Sequence, residues 1–259
     1  MIKVNINKSQ VARRFAKATQ SYNQQAFVQK DICFALIGLI RRFLTQEHLS
    51  KVLEIGCGSG NLTTLLLQKI QIDQLYLNDI YPEIEQHFTD FPEISFCIGD
   101  VEQIELPTHL DLVCSSSALQ WMDDLAKLMS TINHALQPKG YFCFSTFGPD
   151  NLQQIKQLTG QGLSYLTMQE IQTMLIEQGF EILHLSEETK TLSFEHPKDI
   201  LKHLKATGVT ATASGHRWNK ASLQSFYQDY QKYGYFDVMN QMKYPLTYHP
   251  IYCVARREK

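Results

Sequence analysis

Several features are missing from this 259-residue sequence, and each absence argues against a class of protein. The six cysteines are scattered without a CxxC pair, which argues against a zinc site or a disulfide framework. No run of 18 apolar residues occurs, and residues 1–5 lack the apolar core of a signal peptide. We therefore expect a cytoplasmic protein with reduced thiols and with no metal, membrane or nucleic-acid partner.

Charge of one sign is not in large excess, since the net charge is only −2, but it is unevenly distributed. Residues 1–50 carry +6, residues 51–150 carry −10, and residues 190–220 carry +4. The two basic segments are either solvated faces or surfaces that meet a negatively charged partner. The charge distribution alone leaves both interpretations open.

Glycine is also sparse, with 13 residues, yet three of them occur at alternate positions after an apolar run. The stretch V-L-E-I-G-C-G-S-G at 52–60 predicts a buried parallel strand, a tight turn and the start of a helix. Position 61 is Asn, so the pattern is E-x-G-x-G-x-G and not the G-x-G-x-x-G of dinucleotide-binding proteins. This spacing disfavours an NAD-dependent oxidoreductase.

Strand and helix patterns alternate along residues 51–146, which predicts βαβ units and a parallel sheet with helices on both faces. Because the crossovers are right-handed, the C-terminal ends of the strands share one edge, where open α/β sheets bind ligands. Strands are predicted at 51–55, 75–79, 94–98, 110–114 and 141–146, and helices at 61–69 and 125–136.

The flanking regions follow a different pattern. Residues 167–178 predict a helix that begins with a capping box of Thr167 and Glu170 and ends at Gly179. Residues 9–44 look helical, further strands are predicted at 180–185, 189–194 and 246–255, and residues 197–235 hold two helical stretches.

Carboxylates occur at the ends of three consecutive predicted strands, at Glu54, Asp79 and Asp100. Asp79 lies where an acidic side chain accepts both ribose hydroxyls of a nucleoside. Asp100, followed by Val101, lies where an adenine would rest, and its carboxylate can accept from the exocyclic amine. One such carboxylate is usually a turn or cap residue, but three beside a glycine turn predict an adenosyl ligand.

The segments Glu54–Gly60, Asp79 and Gly99-Asp100-Val101 resemble motifs of the class I S-adenosylmethionine-dependent methyltransferases. The resemblance covers residues 50–146 and implies a Rossmann-like α/β fold with a seven-stranded, mostly parallel sheet. It also implies S-adenosylmethionine as the cofactor and S-adenosylhomocysteine as the product, without a metal. The cofactor-binding residues that it implies are Glu54, Gly56, Cys57, Gly58, Gly60, Asp79, Ile80, Asp100, Val101 and Ser116.

Four flanking segments resemble the malonyl-acyl-carrier-protein O-methyltransferases of biotin synthesis: 11–15 with Ala18 and Tyr22, 118–121, 201–208 and 244–248. This resemblance implies methylation of the free carboxyl of a malonyl thioester. It divides the single domain into an N-terminal helical lid (1–49), a cofactor-binding core (50–195), a helical insertion on the substrate side (196–243) and a final strand (244–259).

Acyl carrier proteins are strongly acidic, so the basic insertion is a candidate docking surface for malonyl-carrier or, as an alternative, malonyl-CoA. Lys198, Lys202 and Lys205 are spaced so that one helix face presents all three, and Arg217 and Lys220 follow them. The alternative interpretation is that these basic residues only solubilise the helices.

A malonyl carboxylate is ionised at neutral pH, so methyl transfer to it requires alignment and desolvation but no general base. Tyr22 is the candidate for orienting the reactants, with an amphipathic core tyrosine as the alternative. Gln120 and Trp121 follow the fourth strand, and Trp121 is either a pocket wall or a core residue. Rival interpretations are a methyltransferase for another small acid or a quinone-type substrate, and an adenosyl-binding protein without activity.

Overall fold

The computed structural model describes residues 8, 26–88, 94–207 and 219–258. Its α-helices are α1 (Phe27–Phe43), α2 (Asn61–Lys69), α3 (Leu125–Ala135), α4 (Gln153–Thr159), α5 (Met168–Glu177), α6 (Pro197–Ala206) and α7 (Lys220–Tyr230). Short 3-10 helices span Pro82–His87, Leu119–Trp121 and Gln231–Tyr233. The strands are β1 (His48–Ile55), β2 (Gln71–Asp79), β3 (Ile94–Ile98), β4 (Leu110–Ser116), β5 (Leu136–Phe147), β6 (Phe180–Glu187), β7 (Lys190–Phe194), β8 (Tyr235–Phe236), β9 (Met242–Tyr248) and β10 (Pro250–Arg257).

Seven strands form the main sheet, in the order β3-β2-β1-β4-β5-β10-β6. Neighbours among β1 to β5 pair in parallel, and β10 pairs antiparallel with both β5 and β6. The strand order reverses between β1 and β4, which is the switch point where ligands bind in open α/β sheets. The predicted seven-stranded, mostly parallel sheet is confirmed.

Helices cover both faces of this sheet because successive strand residues point to opposite sides. On β1, buried Val52 belongs to the core under α1 and α2, whereas buried Leu53 belongs to the core under α3 and α5. Burying one such side chain stabilises the fold by about 1.5–3 kcal/mol, so the two cores fix the sheet firmly. The edge of the sheet at the strand C-termini is thereby a rigid platform.

A second, smaller sheet in the order β7-β9-β8 is antiparallel, and it packs with α6 and α7 around a third core. The single final strand predicted at 246–255 is wrong, because β9 and β10 are separate strands in different sheets. Leu246, Tyr248, Ile251 and Tyr252 are all buried, so the apolar pattern continues across the break, which is marked by Pro250 at the start of β10. The prediction of a helix over 9–44 is confirmed for α1; its part over 9–25 lies outside the described residues.

Two local signals behave as the sequence predicted. Thr167 and Glu170 form a capping box at the start of α5, and Gly179 follows the helix with φ +76°. Strand β5 begins directly after α3 ends at Ala135, five residues before the strand start predicted at 141. Within the described part of the chain, no helix is long and apolar enough to cross a membrane.

Candidate active site

The glycine turn between β1 and α2 is held against the end of β2. The amides of Gly56 and Cys57 donate to the carbonyl oxygen of Asn78 at 2.8 and 3.1 Å. Gly56 has φ +68°, and a Cβ at this position would lie 2.5 Å from the Cβ of Ala118. Gly58 has φ +52° and open space where its Cβ would be, so the turn exposes backbone to the adjoining pocket.

The Asp79 carboxylate lies beside this turn and is fixed by backbone amides. Its Oδ2 accepts from Gly58 N at 2.9 Å, and its Oδ1 accepts from Tyr81 N at 3.1 Å. Burial raises the pKa of Asp79, while these backbone hydrogen bonds act in the opposite direction. A carboxylate has about four acceptor positions, so Asp79 keeps capacity for two hydroxyl groups of a ligand.

Glu54 is buried under the turn, with 2% of its surface exposed. The Thr63 hydroxyl donates to Glu54 Oε2 at 2.6 Å. Burial raises the pKa of Glu54 to about 8, and the hydrogen bond from Thr63 only partly offsets that effect. A cation bound in the pocket beside Glu54 favours its ionised form, so this carboxyl responds to the charge of the ligand.

Asn78 connects the ends of β2 and β3 and was not identified from the sequence. Its amide nitrogen donates to the carbonyl oxygens of Cys97 at 2.7 Å and of Gly99 at 3.0 Å. Gly99 N in turn donates to Asp79 O at 2.9 Å. The available signal was a polar residue at a buried strand position directly before the carboxylate of Asp79.

Lys8 is a second residue that the sequence did not single out. Its Nζ donates to Asp100 Oδ1 at 3.0 Å and Oδ2 at 2.8 Å, contacts Glu102, and lies 3.3 Å from Asp123. Burial alone lowers the pKa of Lys8, but the hydrogen bonds to Asp100 and Glu102 outweigh burial and raise it. Asp100, the carboxylate expected beside an adenine, is therefore hydrogen-bonded to Lys8 of the basic N-terminal segment.

One pocket is lined by almost all of the residues expected to bind the cofactor. Gly60 is absent from its described lining; it precedes α2 with φ +79° and lies against the Phe88 ring. Ser116 is placed by hydrogen bonds with Ser145 Oγ at 3.1 Å and Cys33 Sγ at 3.3 Å. The expected residues that line this pocket are Glu54, Gly56, Cys57, Gly58, Asp79, Ile80, Asp100, Val101 and Ser116.

A second, smaller pocket adjoins the first. Trp121 lines both pockets and is 9% exposed. Gln120 lines only the second, and its Nε2 donates to Ser117 O at 2.6 Å. Tyr22, the candidate for orienting the reactants, lies outside the described residues, as does Arg217.

The described lysines expected to contact a carrier line neither pocket. Lys198, Lys202 and Lys205 are exposed on α6, whose opposite face buries Ile200 and Leu204. Lys202 Nζ pairs with Asp199 Oδ1 at 2.6 Å. Lys220 is exposed at the start of α7, and Thr207, directly after α6, lines the second pocket.

All six cysteines are unpaired, and five of them are buried. Burial raises the pKa of Cys33, to about 12, and that of Cys57, so the two thiols at the pocket are protonated and poor nucleophiles. Among the described residues, no group of three His, Cys, Asp or Glu side chains is arranged to hold a metal ion.

Comparison with known proteins identifies the class. A family model described as a methyltransferase domain matches residues 25–185, and the chain belongs to this family. A methyltransferase structure from Bacillus halodurans aligns with a TM-score of 0.63 and 16% identity, covering 86% of this chain and 99% of that one. The N-methyltransferase NodS of Bradyrhizobium japonicum, solved with S-adenosylhomocysteine, aligns with a TM-score of 0.52 and 14% identity, covering 86% and 85%. These two likenesses concern the fold alone.

Curated relatives narrow the class to one family. The malonyl-[acyl-carrier protein] O-methyltransferase of Acinetobacter baylyi is 50% identical over 98% of both chains. The enzyme of the same name from Bacteroides thetaiotaomicron is 36% identical over 98% of this chain and 100% of its own, and that of Haemophilus influenzae is 35% identical over 97% and 95%. The chain belongs to the malonyl-[acyl-carrier protein] O-methyltransferases.

Proposed function

We propose that this protein transfers a methyl group from S-adenosylmethionine to the free carboxylate of malonyl-acyl carrier protein, giving the malonyl methyl ester for biotin synthesis. The observation that carries the proposal is the 50% identity to a relative of that name over nearly the whole of both chains. The pocket independently supports the cofactor part of the proposal, because it combines an open glycine turn with an acidic side chain at the switch point of the sheet.

The residues of the larger pocket fit S-adenosylmethionine. Asp79 holds the ribose hydroxyls, and the turn at Gly56 and Gly58 lies against the amino-acid part of the cofactor. Glu54, buried below the turn, stabilises positive charge there once it is ionised. Asp100 and Val101 border the adenine, with Lys8 fixing the Asp100 carboxylate.

The chemistry requires little from the protein beyond positioning. When bound, S-adenosylmethionine supplies a methyl group on a sulfonium sulfur; an ionised carboxylate oxygen bonds to that carbon as the carbon–sulfur bond breaks, with no proton transferred. The protein therefore aligns the carboxylate and removes water from it. Trp121, shared by the two pockets, provides an apolar wall where such a reaction takes place.

In this proposal the carrier docks on the exposed lysines of α6. Lys220 of α7 belongs to the same insertion and adds to this basic surface. An acidic carrier is attracted to this basic surface. Because Thr207 continues from α6 into the lining of the second pocket, a carrier bound there delivers its malonyl arm toward the cofactor. The division into an N-terminal lid, a cofactor-binding core and a helical insertion belongs to the same proposal; the part predicted as a final strand holds most of β9 and all of β10. The proposal also places the protein in the cytoplasm, where six unpaired cysteines remain reduced.

The test is mass spectrometry of carrier proteins incubated with the purified protein and S-adenosylmethionine. We expect malonyl-carrier to gain the mass of one methylene group, and acetyl-carrier, which has no free carboxylate, to gain none. Malonyl-CoA and small acids in parallel reactions measure how much the carrier contributes. Absence of the methyl ester on malonyl-carrier contradicts the proposal. A faster reaction with a small acid than with malonyl-carrier shows that the small acid, and not the carrier-bound malonyl group, is the substrate.

A further inference from the structure

The two pockets meet at three described residues that line both of them: Gln29, Ser117 and Trp121. Gln29 lies in the first turn of α1, Ser117 directly follows β4, and Trp121 ends the short helix after it. A methyl donor in the larger pocket and an acceptor in the smaller one meet at this junction. These three side chains are therefore candidates for contacts with the reacting carboxylate.

Two polar atoms at the junction lack partners within the protein. Among the described residues, Gln29 Oε1 and Ser117 Oγ are the buried side-chain atoms without a hydrogen bond. Gln29 is 5% exposed, so its amide end is removed from bulk solvent. A buried polar group without a partner destabilises the fold, and its persistence indicates a ligand that pairs with it.

The backbone of Ser117 gives an independent indication. Its φ is +56°, a left-handed conformation that is uncommon for a residue other than glycine. The surroundings enforce it, since Ser117 N donates to Ser145 O at 3.0 Å and Ser117 O accepts from Gln120 Nε2 at 2.6 Å. Strain of this kind persists where the surrounding structure fixes it, and such residues cluster at functional sites.

The described lining of the smaller pocket mixes apolar and polar side chains, and none of them is charged. Its described lining contains hydroxyl and amide side chains, among them Asn151 and Tyr165, and no Asp, Glu, Lys, Arg or His. Asn151 Nδ2 already donates to Tyr165 OH at 2.9 Å, which leaves the junction atoms as the unpaired ones. Neutral donors hold a carboxylate without an ion pair, so the oxygen keeps more of its electron density for attack than it does beside a guanidinium.

We propose that Ser117 and Gln29 bind the carboxylate of the malonyl group at this junction as uncharged hydrogen-bond donors; this proposal rests on the proposed function. The Ser117 hydroxyl donates to one carboxylate oxygen. The Gln29 amide donates to the carboxylate once its terminal group is turned by half a rotation, which exchanges nitrogen and oxygen at nearly constant shape. The other carboxylate oxygen then points across the junction toward the methyl group.

Four variants test this assignment: Ser117→Ala, Ser117→Gly, Gln29→Met and Gln29→Glu. The kcat/KM for malonyl-carrier and the Kd for S-adenosylhomocysteine are measured for each. We expect Ser117→Ala and Gln29→Met to lower kcat/KM about tenfold, as for the loss of one hydrogen bond to a charged group, mainly through KM. Gln29→Glu places a negative charge beside the carboxylate and lowers kcat/KM about 100-fold or more. The Kd stays within about threefold of the wild-type value.

Ser117→Gly separates a structural role from substrate binding. Glycine adopts φ +56° without strain, so Ser117→Gly is at least as stable to heat as Ser117→Ala, yet both lose the hydroxyl and the same activity. Gln172→Glu, on the exposed surface of α5, is the matched charge control and keeps full activity. If Gln29→Glu does not fold, the serine pair still decides the proposal.

The outcomes separate this proposal from the proposed function. If the wild type forms the methyl ester and kcat/KM is unchanged in Ser117→Ala and Gln29→Met, these two residues do not bind the carboxylate, and the proposed function stands. If the Kd of S-adenosylhomocysteine rises by the same factor as kcat/KM falls, both residues contact the cofactor and not the malonyl carboxylate. A wild-type protein that makes no malonyl methyl ester rejects the function and, with it, this use of the junction.

Discussion

The side-chain amide of Gln120 holds the strained backbone of Ser117: its Nε2 donates a 2.6 Å hydrogen bond to Ser117 O, where φ is +56°. The other end of the amide is also engaged, since Thr146 Oγ1 donates to Gln120 Oε1 at 3.4 Å. Both ends of the side chain thus have partners within the protein. We expect Gln120 to influence the reaction by positioning Ser117 and not by touching the reactants.

Gln120→Leu tests this positioning role because it removes both hydrogen bonds and keeps most of the volume. We expect kcat/KM for malonyl-carrier to fall about tenfold, the effect of one lost hydrogen bond to a charged substrate. In a double-mutant cycle, adding Ser117→Ala to Gln120→Leu costs little more than either change alone, because both act on one contact. Fully additive losses contradict the role. Gln172→Leu on α5 is the exposed control.

Asp79→Ala tests the cofactor pocket. We expect the Kd for S-adenosylhomocysteine, measured by calorimetry, to rise about 100-fold or more, because two charge-assisted hydrogen bonds of about 1.5–3 kcal/mol each are lost. Asp79→Asn keeps the shape and gives a smaller loss. Asp73→Ala changes an exposed aspartate on the same strand and leaves the Kd unchanged. Normal binding by a folded Asp79→Ala protein excludes the ribose contact.

Glu54 makes the stability of the ligand-free protein depend on pH. Its pKa rises from 4.5 to about 8 on folding, so the folded state keeps a proton that the unfolded state releases above about pH 4.5. The contribution of Glu54 to the free energy of unfolding is therefore complete below about pH 4.5 and is lost as pH rises toward 8. The slope is at most roughly 1.4 kcal/mol per pH unit within that window.

Glu54→Gln removes this ionisation and keeps an oxygen for the Thr63 hydroxyl. We expect the Tm of the wild type to fall more between pH 5 and pH 9 than that of Glu54→Gln, so that the variant gains relative stability at high pH. Glu177→Gln, exposed on α5, retains the wild-type slope. Parallel Tm curves for wild type and Glu54→Gln show that Glu54 ionises normally in the folded protein.

The cofactor edge of the sheet could be predicted because its signals are local in sequence. Gly56 and Gly58 adopt the positive φ that the turn requires, and Asp79 ends its strand in both prediction and structure. The helix boundaries of α2 and α5 likewise follow from apolar spacing and caps. Such features depend on a few neighbouring residues and need no knowledge of the tertiary fold.

The junction of the two pockets could not be predicted because its parts meet only after folding. Gln29 and Ser117 lie far apart in the chain, and neither belongs to a recognisable motif. Ser115, Ser116 and Ser117 all follow the apolar part of β4, and nothing in their order shows which one adopts positive φ. The same limitation hid the pairing of Lys8 with Asp100.

The exposed lysines of α6 provide the last prediction, because their charge can be reversed without disturbing a core. We expect Lys202→Glu with Lys205→Glu to lower kcat/KM for malonyl-carrier about tenfold at low salt and to leave malonyl-CoA turnover unchanged. The difference narrows as salt is added, since exposed charges are screened over about 10 Å at 0.1 M. Because Lys202 is paired with Asp199, Lys198→Glu with Lys205→Glu has the larger effect.

Lys69→Glu with Lys127→Glu makes the same change in net charge on exposed positions of α2 and α3. This control retains the carrier reaction if the effect depends on the α6 surface, and it loses the reaction if net charge alone governs the encounter. Equal losses on malonyl-carrier and malonyl-CoA in the α6 variants contradict carrier docking there. A loss confined to the carrier, and erased by salt, identifies α6 as the surface that receives its acidic partner.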